Sequence, residues 1–518
     1  MSDLRSFSFT KPGVPRRQGA FAGPIQQPRR RGFWAGAQGG RFTADWIFSP
    51  MVSASAEWKT EGWKLRGRAR EMVRNDPTFA RYVQLMADNV VGECGVEVCP
   101  KLYNRKGELL DDESRALEEA FEEFSRRENF SRDGRLSREE FEAQIVRLTP
   151  VDGESFVRAL PTKRNRFGLH FELIDPDLID NEFFQEATAS QNLIFAGIEY
   201  DADARPLAYH MWPDYSKRKA RVAVPAQWMQ HLYWPRRPGD PRGITRFAPA
   251  MMLARMLHGY REAEIVAART AAAKMAFLLR TEPEAVVGDD DLKPDLPMEA
   301  AAGTIDELPF GYDVKFWDPT HPNEAYDAYV RSVKGDIAAS LSHAYVTLFG
   351  DWSATNYSSG RMPVMQERDH YRMWQQWLVN GHVRPGYEIW VELAFMRGAI
   401  TLPTANYREH LDAAFRPRTW PMFNPTEETA VMKDLLAMRL ASRGQLASQV
   451  GPGLEEVLEQ WQADEKLFAK YGQAPPAELG STPKGTNQGA DNGAQGTAEG
   501  AAENGNDRAS GFRLVRGQ

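Results

Sequence analysis

Cysteine is nearly absent: Cys94 and Cys99 are the only two in 518 residues, too few for a disulfide framework or a four-cysteine metal site. That usage suits a reducing cytosol. No apolar run approaches the roughly 18 residues of a membrane-spanning helix, and the first residues lack the apolar centre of a signal peptide, so neither membrane insertion nor secretion is expected. No Gly-Lys dipeptide occurs, which removes the phosphate-cradling P-loop, and neither His-Glu-x-x-His nor Gly-x-Ser-x-Gly is present. An excess of positive charge is missing too. Lys plus Arg number 64 against 71 Asp plus Glu, a net charge of −7, so the chain does not clamp nucleic acid by charge alone. The nine histidines are scattered, and His258 and His343 stand singly in helical stretches where a satisfied core or interface group is the ordinary role. No catalytic residue, metal site or cofactor is assigned.

What is present supports a large core. Hydrophobic residues make up 42% of the chain, with 14 Trp and 27 Phe, which excludes global disorder. The length suits about three ordinary domains or one large ring-forming unit. Residues 1–41 carry eight basic groups against Asp3 alone, a flexible basic arm that is either a solvated tail or a contact for an acidic partner. Helical spacing from Trp58 to Val91 is divided by Pro77, and the second helix places Phe79, Tyr82, Val83, Met86 and Val90 on one face. A short strand pair is expected around Val96–Tyr103. A helix near 111–127 follows, with Asp111 and Asp112 at its positive end and Leu117, Phe121 and Phe124 as its buried stripe. Between 151 and 235 the runs SFVRAL, FGLHFELI, LIFAGIEY, LAYHMW and QHLYW read as strands. The fold class is therefore α+β, predominantly helical.

Ala248 to Leu279 reads as one long helix with ten alanines, suited to close side-by-side packing between identical copies. Residues 281–300 then hold seven acids and one lysine with three prolines, an exposed acidic excursion leading to the strand-like VKFW at 314–317. Tyr326, Val330, Val333, Ile337, Leu341, Tyr345 and Leu348 mark a second long helix that stops at Gly350-Asp351. After the loop GDWSATNYSSG, a helical stretch carrying Met365, Trp374, Trp377 and Leu378 is expected to be interrupted at Gly381 and Pro385. A helical pair near 426–441 and 453–469 follows, and residues 474–510 are expected to be disordered. The loop 350–360 exceeds what a helical hairpin needs. It is either a functional contact loop or an ordinary connection whose aromatics pack down.

Taken in order, the motifs RAREMVRNDP (68–77), NVVGECGVEV (89–98), AGIEYDADARPLAYH (196–210), HLYWPRRPGDPRGITRFAP (231–249), REAEIVAARTAAA (261–273), GDWSATNYSSGR (350–361) and WPMFNPTEE (420–428) make a collinear set. With them the chain resembles the lambda-type portal proteins of tailed bacteriophages, from about Trp58 to Lys466. Asp240 and Asn424 stand where the family more often has Gln and Asp. The resemblance implies a homo-oligomeric ring, typically of twelve subunits, at one capsid vertex, with a central channel for double-stranded DNA. It implies the following parts: a basic arm (1–45), a wing (46–245), a stem helix (246–279), a clip (280–323), a second stem helix (324–349), a tunnel loop (350–360), a long wing helix and return (361–425), crown-like helices (426–470) and a disordered tail (471–518).

It further implies that Asp351, Trp352, Ser353, Thr355, Asn356, Tyr357, Ser358 and Arg361 face the DNA channel, and that Glu282, Glu284, Asp289, Asp290, Asp291 and Asp295 form a docking surface on the clip. The implied partners are further copies of the chain, DNA, the large terminase subunit, a head-completion or adaptor protein, and the major capsid protein with its scaffold. ATP hydrolysis belongs to the terminase in such a system, so the chain itself is expected to be non-enzymatic, assembled in the host cytoplasm and carried in the virion. The rival readings are another structural ring of the neck or tail and a DNA-processing enzyme.

Overall fold

The computed structural model describes residues 53–104, 106–216, 219–272, 276–280, 312–316, 326–353, 356–450 and 454–472. The basic arm, the acidic excursion with its six docking candidates, Thr355 and the 474–510 segment lie outside them. The chain separates into two units, residues 1–423 and 424–518.

In the first unit, Ser53 accepts from Ala56 N–H to start α1 (Ala54–Glu57), and a π-turn at Trp58–Gly62 carries the chain into α2 (Trp63–Asn75). The Asp76 side chain accepts from Thr78 N–H at 2.8 Å and caps α3 (Pro77–Val90), with Pro77 in the first turn where no donor is required. Phe79, Tyr82, Val83, Met86 and Val90 are all buried, so the expected face is the real one. Burying each such large side chain contributes about 1.5–3 kcal/mol. The strand β1 (Glu97–Pro100) does not pair locally. In α4 (Asp111–Phe124), Leu117, Phe121 and Phe124 are buried as expected. A short α5 (Arg127–Phe130) precedes α6 (Arg138–Asp152), which opens on a Ser137–Glu140 capping box and ends at Gly153.

The strand-rich stretch makes two antiparallel sheets. One has the order β3-β2-β8, from β2 (Glu154–Pro161), β3 (Leu169–Ile174) and β8 (Met229–Tyr233). The other runs β4 (Leu193–Phe195), β5 (Ile198–Tyr200), β6 (Pro206–Met211) and β7 (Val222–Pro225). LIFAGIEY is thus two strands, reversed by Ala196 (φ 47°) and Gly197 (φ 80°) in the left-handed pair that a tight hairpin turn requires.

A buried ionic cluster ties these sheets to α2. The Glu154 carboxylate, fully buried, accepts from Arg242 Nη2 at 2.6 Å, His231 Nε2 at 3.0 Å and Gly243 N–H at 3.1 Å, and pairs with Arg66. Arg70 joins Asp152 at 2.6 Å, Asp175 at 2.9 Å and Asp177 at 2.6 Å. Here Gly243 lies against Gly153: a Cβ on Gly243 would sit 2.0 Å from the Gly153 carbonyl oxygen, so the two backbones meet where no side chain fits.

The long helix expected over 248–279 is shorter. It spans α7 (Met251–Ala272), and residues 276–280 form β9 (Ala276–Arg280), antiparallel to β10 (Tyr312–Phe316). The apolar run Ala-Phe-Leu-Leu has a β partner in Tyr-Asp-Val-Lys-Phe, and pairing overrides the helical preference of the preceding alanines. The second expected long helix is also broken. It consists of α8 (Tyr326–Ser340) and α9 (Tyr345–Phe349), separated by a turn in which Ser342 has φ 58°.

The stretch expected to break at Gly381 and Pro385 instead stays helical. α10 (Tyr357–Leu378) passes through a π-turn at Val379–Val383 into α11 (Arg384–Met396). The wider turn relieves the clash and the missing donor that Pro385 brings to a regular α-helix. β11 (Ala413–Arg416) then supplies the partner of β1, with Glu97 opposite Arg416, which replaces the local strand pair. Trp374 and Trp390 are the largest fully buried side chains of the main core, with Phe124, Phe141 and Phe171 among its other members. Among the described residues no helix is long and apolar enough to cross a membrane.

The second unit contains α12 (Pro425–Ala437), capped by Asn424 accepting from Glu427 N–H, then α13 (Arg443–Val450), which the expected helical pair omits, and α14 (Leu454–Lys470).

Candidate functional site

The loop between α9 and α10 is built on a fixed base. Gly350 (φ 67°) closes α9 by donating to Val346 O at 2.9 Å, a left-handed end that glycine tolerates. His343, buried beneath the turn, stands 3.1 Å from Leu341 O through Nδ1 and accepts from Tyr371 OH through Nε2 at 3.2 Å. Burial lowers its pKa to about 4, so the ring is neutral at pH 7. The buried Glu367 carboxylate accepts from Ala344 N–H at 2.8 Å and satisfies the start of α9. Arg81 on α3 donates twice to Thr347 O, at 3.0 and 3.1 Å. Both helices flanking the loop are therefore tied down before it begins.

Asp351 is the clasp. Its Oδ2 accepts from Arg331 Nη2 at 2.7 Å and Tyr345 OH at 3.0 Å, while Oδ1 accepts from Ser353 Oγ at 2.5 Å and Ser353 N–H at 3.2 Å. These bonds, led by those from Ser353, hold the carboxyl well below the usual range. Trp352 is 52% exposed beside the clasp.

Asn356, which the resemblance implies faces the channel, is the residue that starts α10. Its side chain accepts from Ser359 N–H at 2.8 Å while Ser359 Oγ accepts from Asn356 N–H at 3.0 Å, so the pair is the capping box that starts α10. Tyr357 and Ser358 open that helix. Arg361, one turn on, lies with its guanidinium 5.7 Å from the centre of the Phe423 ring. The loop thus brings Asp351, Trp352, Ser353 and Asn356 together at one end of α10, on a base supplied by Arg331 and Tyr345.

Arg331, Tyr345, Glu367 and Tyr371 were not read from the sequence as parts of this site. Two local signals were available, Asp-x-Ser at 351–353 and Asn-x-x-Ser at 356–359, both patterns in which a side chain caps nearby backbone. Arg331 gives no such signal because it lies 20 residues upstream of Asp351.

Among the described residues, Glu97, Cys99 and Glu118 bring three possible metal-ligand atoms within 4.8 Å of one another. They lie on β1 and α4, apart from the loop.

The family model for phage portal proteins of the lambda family matches residues 39–375, which takes in α1 through most of α10 and the whole clasp. The chain belongs to the lambda family of phage portal proteins. A probable portal protein of Halomonas phage phiHAP-1 is 26% identical over 420 residues, 79% of this chain and 81% of that one. The portal protein B of Escherichia phage lambda is 21% identical over 395 residues, 68% of this chain and 73% of that one. The neck of a native GTA particle, computed with C12 symmetry, aligns at 12% identity with a TM-score of 0.41, covering 74% of this chain and 94% of that chain. Portal proteins of this family are structural rather than enzymatic, and the loop clasp lies within the matched residues.

Proposed function

We propose that this portal protein forms a homo-oligomeric ring of twelve copies at one vertex of a capsid, and that double-stranded DNA passes through its channel during packaging and ejection. In this reading residues 46–245 are the wing, α7 and α8 the stem, 280–323 the clip, 350–360 the tunnel loop and 426–470 the crown. The large terminase subunit docks on the acidic clip first and a head-completion or adaptor protein later. Capsid protein and scaffold surround the ring.

The observation that carries the reading is the loop itself: an exposed Trp352 projecting from a base pinned by Arg331, Tyr345, Glu367 and His343. A channel constriction requires a rigid root and an accessible tip. α7 adds support. Met251, Ala254 and Leu257 are buried, whereas Met252, Met256 and Ile265 are 57–67% exposed, an apolar second face suited to a neighbouring copy. The clasp neutralises Asp351 against Arg331, and beside it Trp352 offers an exposed, uncharged aromatic ring. Each tightly held phosphate adds a barrier to sliding, so a tip of this chemistry guides the duplex without trapping it.

The test is Trp352→Ala in the intact phage system, which leaves the clasp and the helix cap in place. Rings form normally and the retention or translocation of packaged DNA falls; unchanged packing and retention refute the channel role. For the clip, reversing Asp289, Asp290 and Asp291 to lysine weakens terminase or adaptor capture in a pull-down, and normal capture counts against that docking surface.

A further inference from the structure

A cavity of about 320 Å³ opens at the β2–β3 hairpin, away from the loop, lined by Arg132, Arg158, Arg164 and His170 with Leu160 and Pro161 as its apolar side. β2 and β3 pair so that Arg158 lies opposite Glu172 and Leu160 opposite His170, which puts all four on one face of the sheet. Arg132 is paired with Glu172, and Arg158 Nη1 stands 4.0 Å from the same carboxylate. Arg164 has no ion-pair partner among the described residues, so three guanidiniums share one carboxylate and two positive charges remain uncompensated. The hairpin is held in shape: Asn165 Nδ2 donates to Asn129 O and Leu169 O at 2.9 and 2.7 Å, and Arg397 Nη2 donates to Thr162 O at 2.7 Å.

His170 lines the same cavity. The residue is only 5% exposed, and its Nδ1 lies 2.8 Å from the Asn129 carbonyl oxygen, which can only accept. Nδ1 therefore carries the proton, and in the neutral ring Nε2 is a bare acceptor. Nε2 is buried and has no hydrogen-bond partner among the described residues. Burial lowers the pKa of this imidazole, which keeps it neutral at pH 7.5. A buried acceptor beside several cationic donors fits an anion that also brings a proton of its own. Sulfate, a carboxylate and a phosphodiester have none at neutral pH. Hydrogen phosphate has one.

We infer that this cavity is a binding site for inorganic hydrogen phosphate, whose O–H donates to His170 Nε2 while its other oxygens accept from Arg132, Arg158 and Arg164. The site is independent of the DNA channel and rests on none of the reasoning for it. Calorimetric titration of the full-length protein with sodium phosphate at pH 7.5 in a chloride buffer tests it, with sodium sulfate in parallel. Phosphate binds saturably and about tenfold or more tighter than sulfate, because sulfate leaves the buried acceptor unpaired.

Arg164→Ala, on the exposed hairpin, weakens phosphate binding about tenfold by removing a charge-assisted donor, while Lys163→Ala beside it does not. His170→Ala, with an unchanged melting temperature, narrows the gap between phosphate and sulfate. If that variant does not fold, the Arg164→Ala result and the sulfate comparison decide. Absence of saturable phosphate binding, equal affinity for sulfate, or an Arg164→Ala variant that binds as the parent does overturns the assignment.

Discussion

Replacing Arg242 with methionine tests how far the first unit depends on its buried ionic cluster. The substitution keeps a long, flexible side chain and removes only the guanidinium, which is fully buried and packs 4.8 Å from the centre of the Trp58 ring and 5.1 Å from that of Phe156. Burial alone would push the Glu154 carboxyl up. The Arg242 charge, with the His231 bond and Arg66, outweighs it and holds the group well below the usual range. Without Arg242, Glu154 retains Arg66, His231 and the Gly243 N–H but loses its bidentate partner, and Asn181 Oδ1 and Ala196 O lose the donor that reaches them at 2.9 and 2.8 Å.

Removing one member of a buried ion pair costs about 3–5 kcal/mol. With a melting entropy of about 2 cal/mol/K per residue, a unit of this size loses about 3–7 °C in melting temperature. Differential scanning fluorimetry at pH 7 reads the shift. The double variant Glu154→Gln/Arg242→Met should lose less than the sum of the two single changes, since the charge stranded by one substitution is removed by the other. A loss below about 1 °C in Arg242→Met, or strict additivity in the double variant, would show that the cluster does not hold the sheets to α2.

Acidification gives a second test. Burial lowers the pKa of His343 to about 4 and of His382 to about 3, against about 6.5 in the unfolded chain, so the stability each contributes is complete above pH 6.5 and is lost as pH falls toward those values. A His382→Gln variant should therefore show a shallower fall in melting temperature between about pH 6.5 and 5 than the parent, by up to about 1.4 kcal/mol per pH unit, and parallel curves would contradict the buried neutral ring. Asn356→Ala removes the α10 cap and should cost about 1 kcal/mol, read as a lower melting temperature with ring formation retained. Gly243→Ala places a methyl against the Gly153 carbonyl and should abolish soluble folded protein; recovery of a folded product with a near-normal melting temperature would mean that the two backbones can separate.

The sequence was most legible where local chemistry decides structure. The buried faces of α3 and α4 follow from residue spacing, and the strands from their alternation and their bounding turns. It was least legible where a distant partner decides. β1 has nothing local to show that its mate is β11, and the alanines before β9 favour the helix that β10 prevents. α6 opens on a capping box yet holds Pro150 near its end, so its local signals conflict. Pro385 misled, since a π-turn is not visible in composition. In the loop, the exposure of Trp352 and the helix-capping bonds between Asn356 and Ser359 come from the structure, whereas the sequence shows only the residue types.

The pairing of Glu97 with Arg416 also sets a clock on biosynthesis. At about 5–20 residues per second, the second strand emerges on the order of 15–60 s after the first. α10 and α11, which bring Trp374 and Trp390 to the core, arrive in the same interval. Until then the apolar faces of α3 and α4 have no complete core to enter, and β1 is an open edge. A nascent chain in this interval is a natural client for chaperones, and truncation anywhere before residue 413 leaves an unfinished core rather than a smaller working subunit.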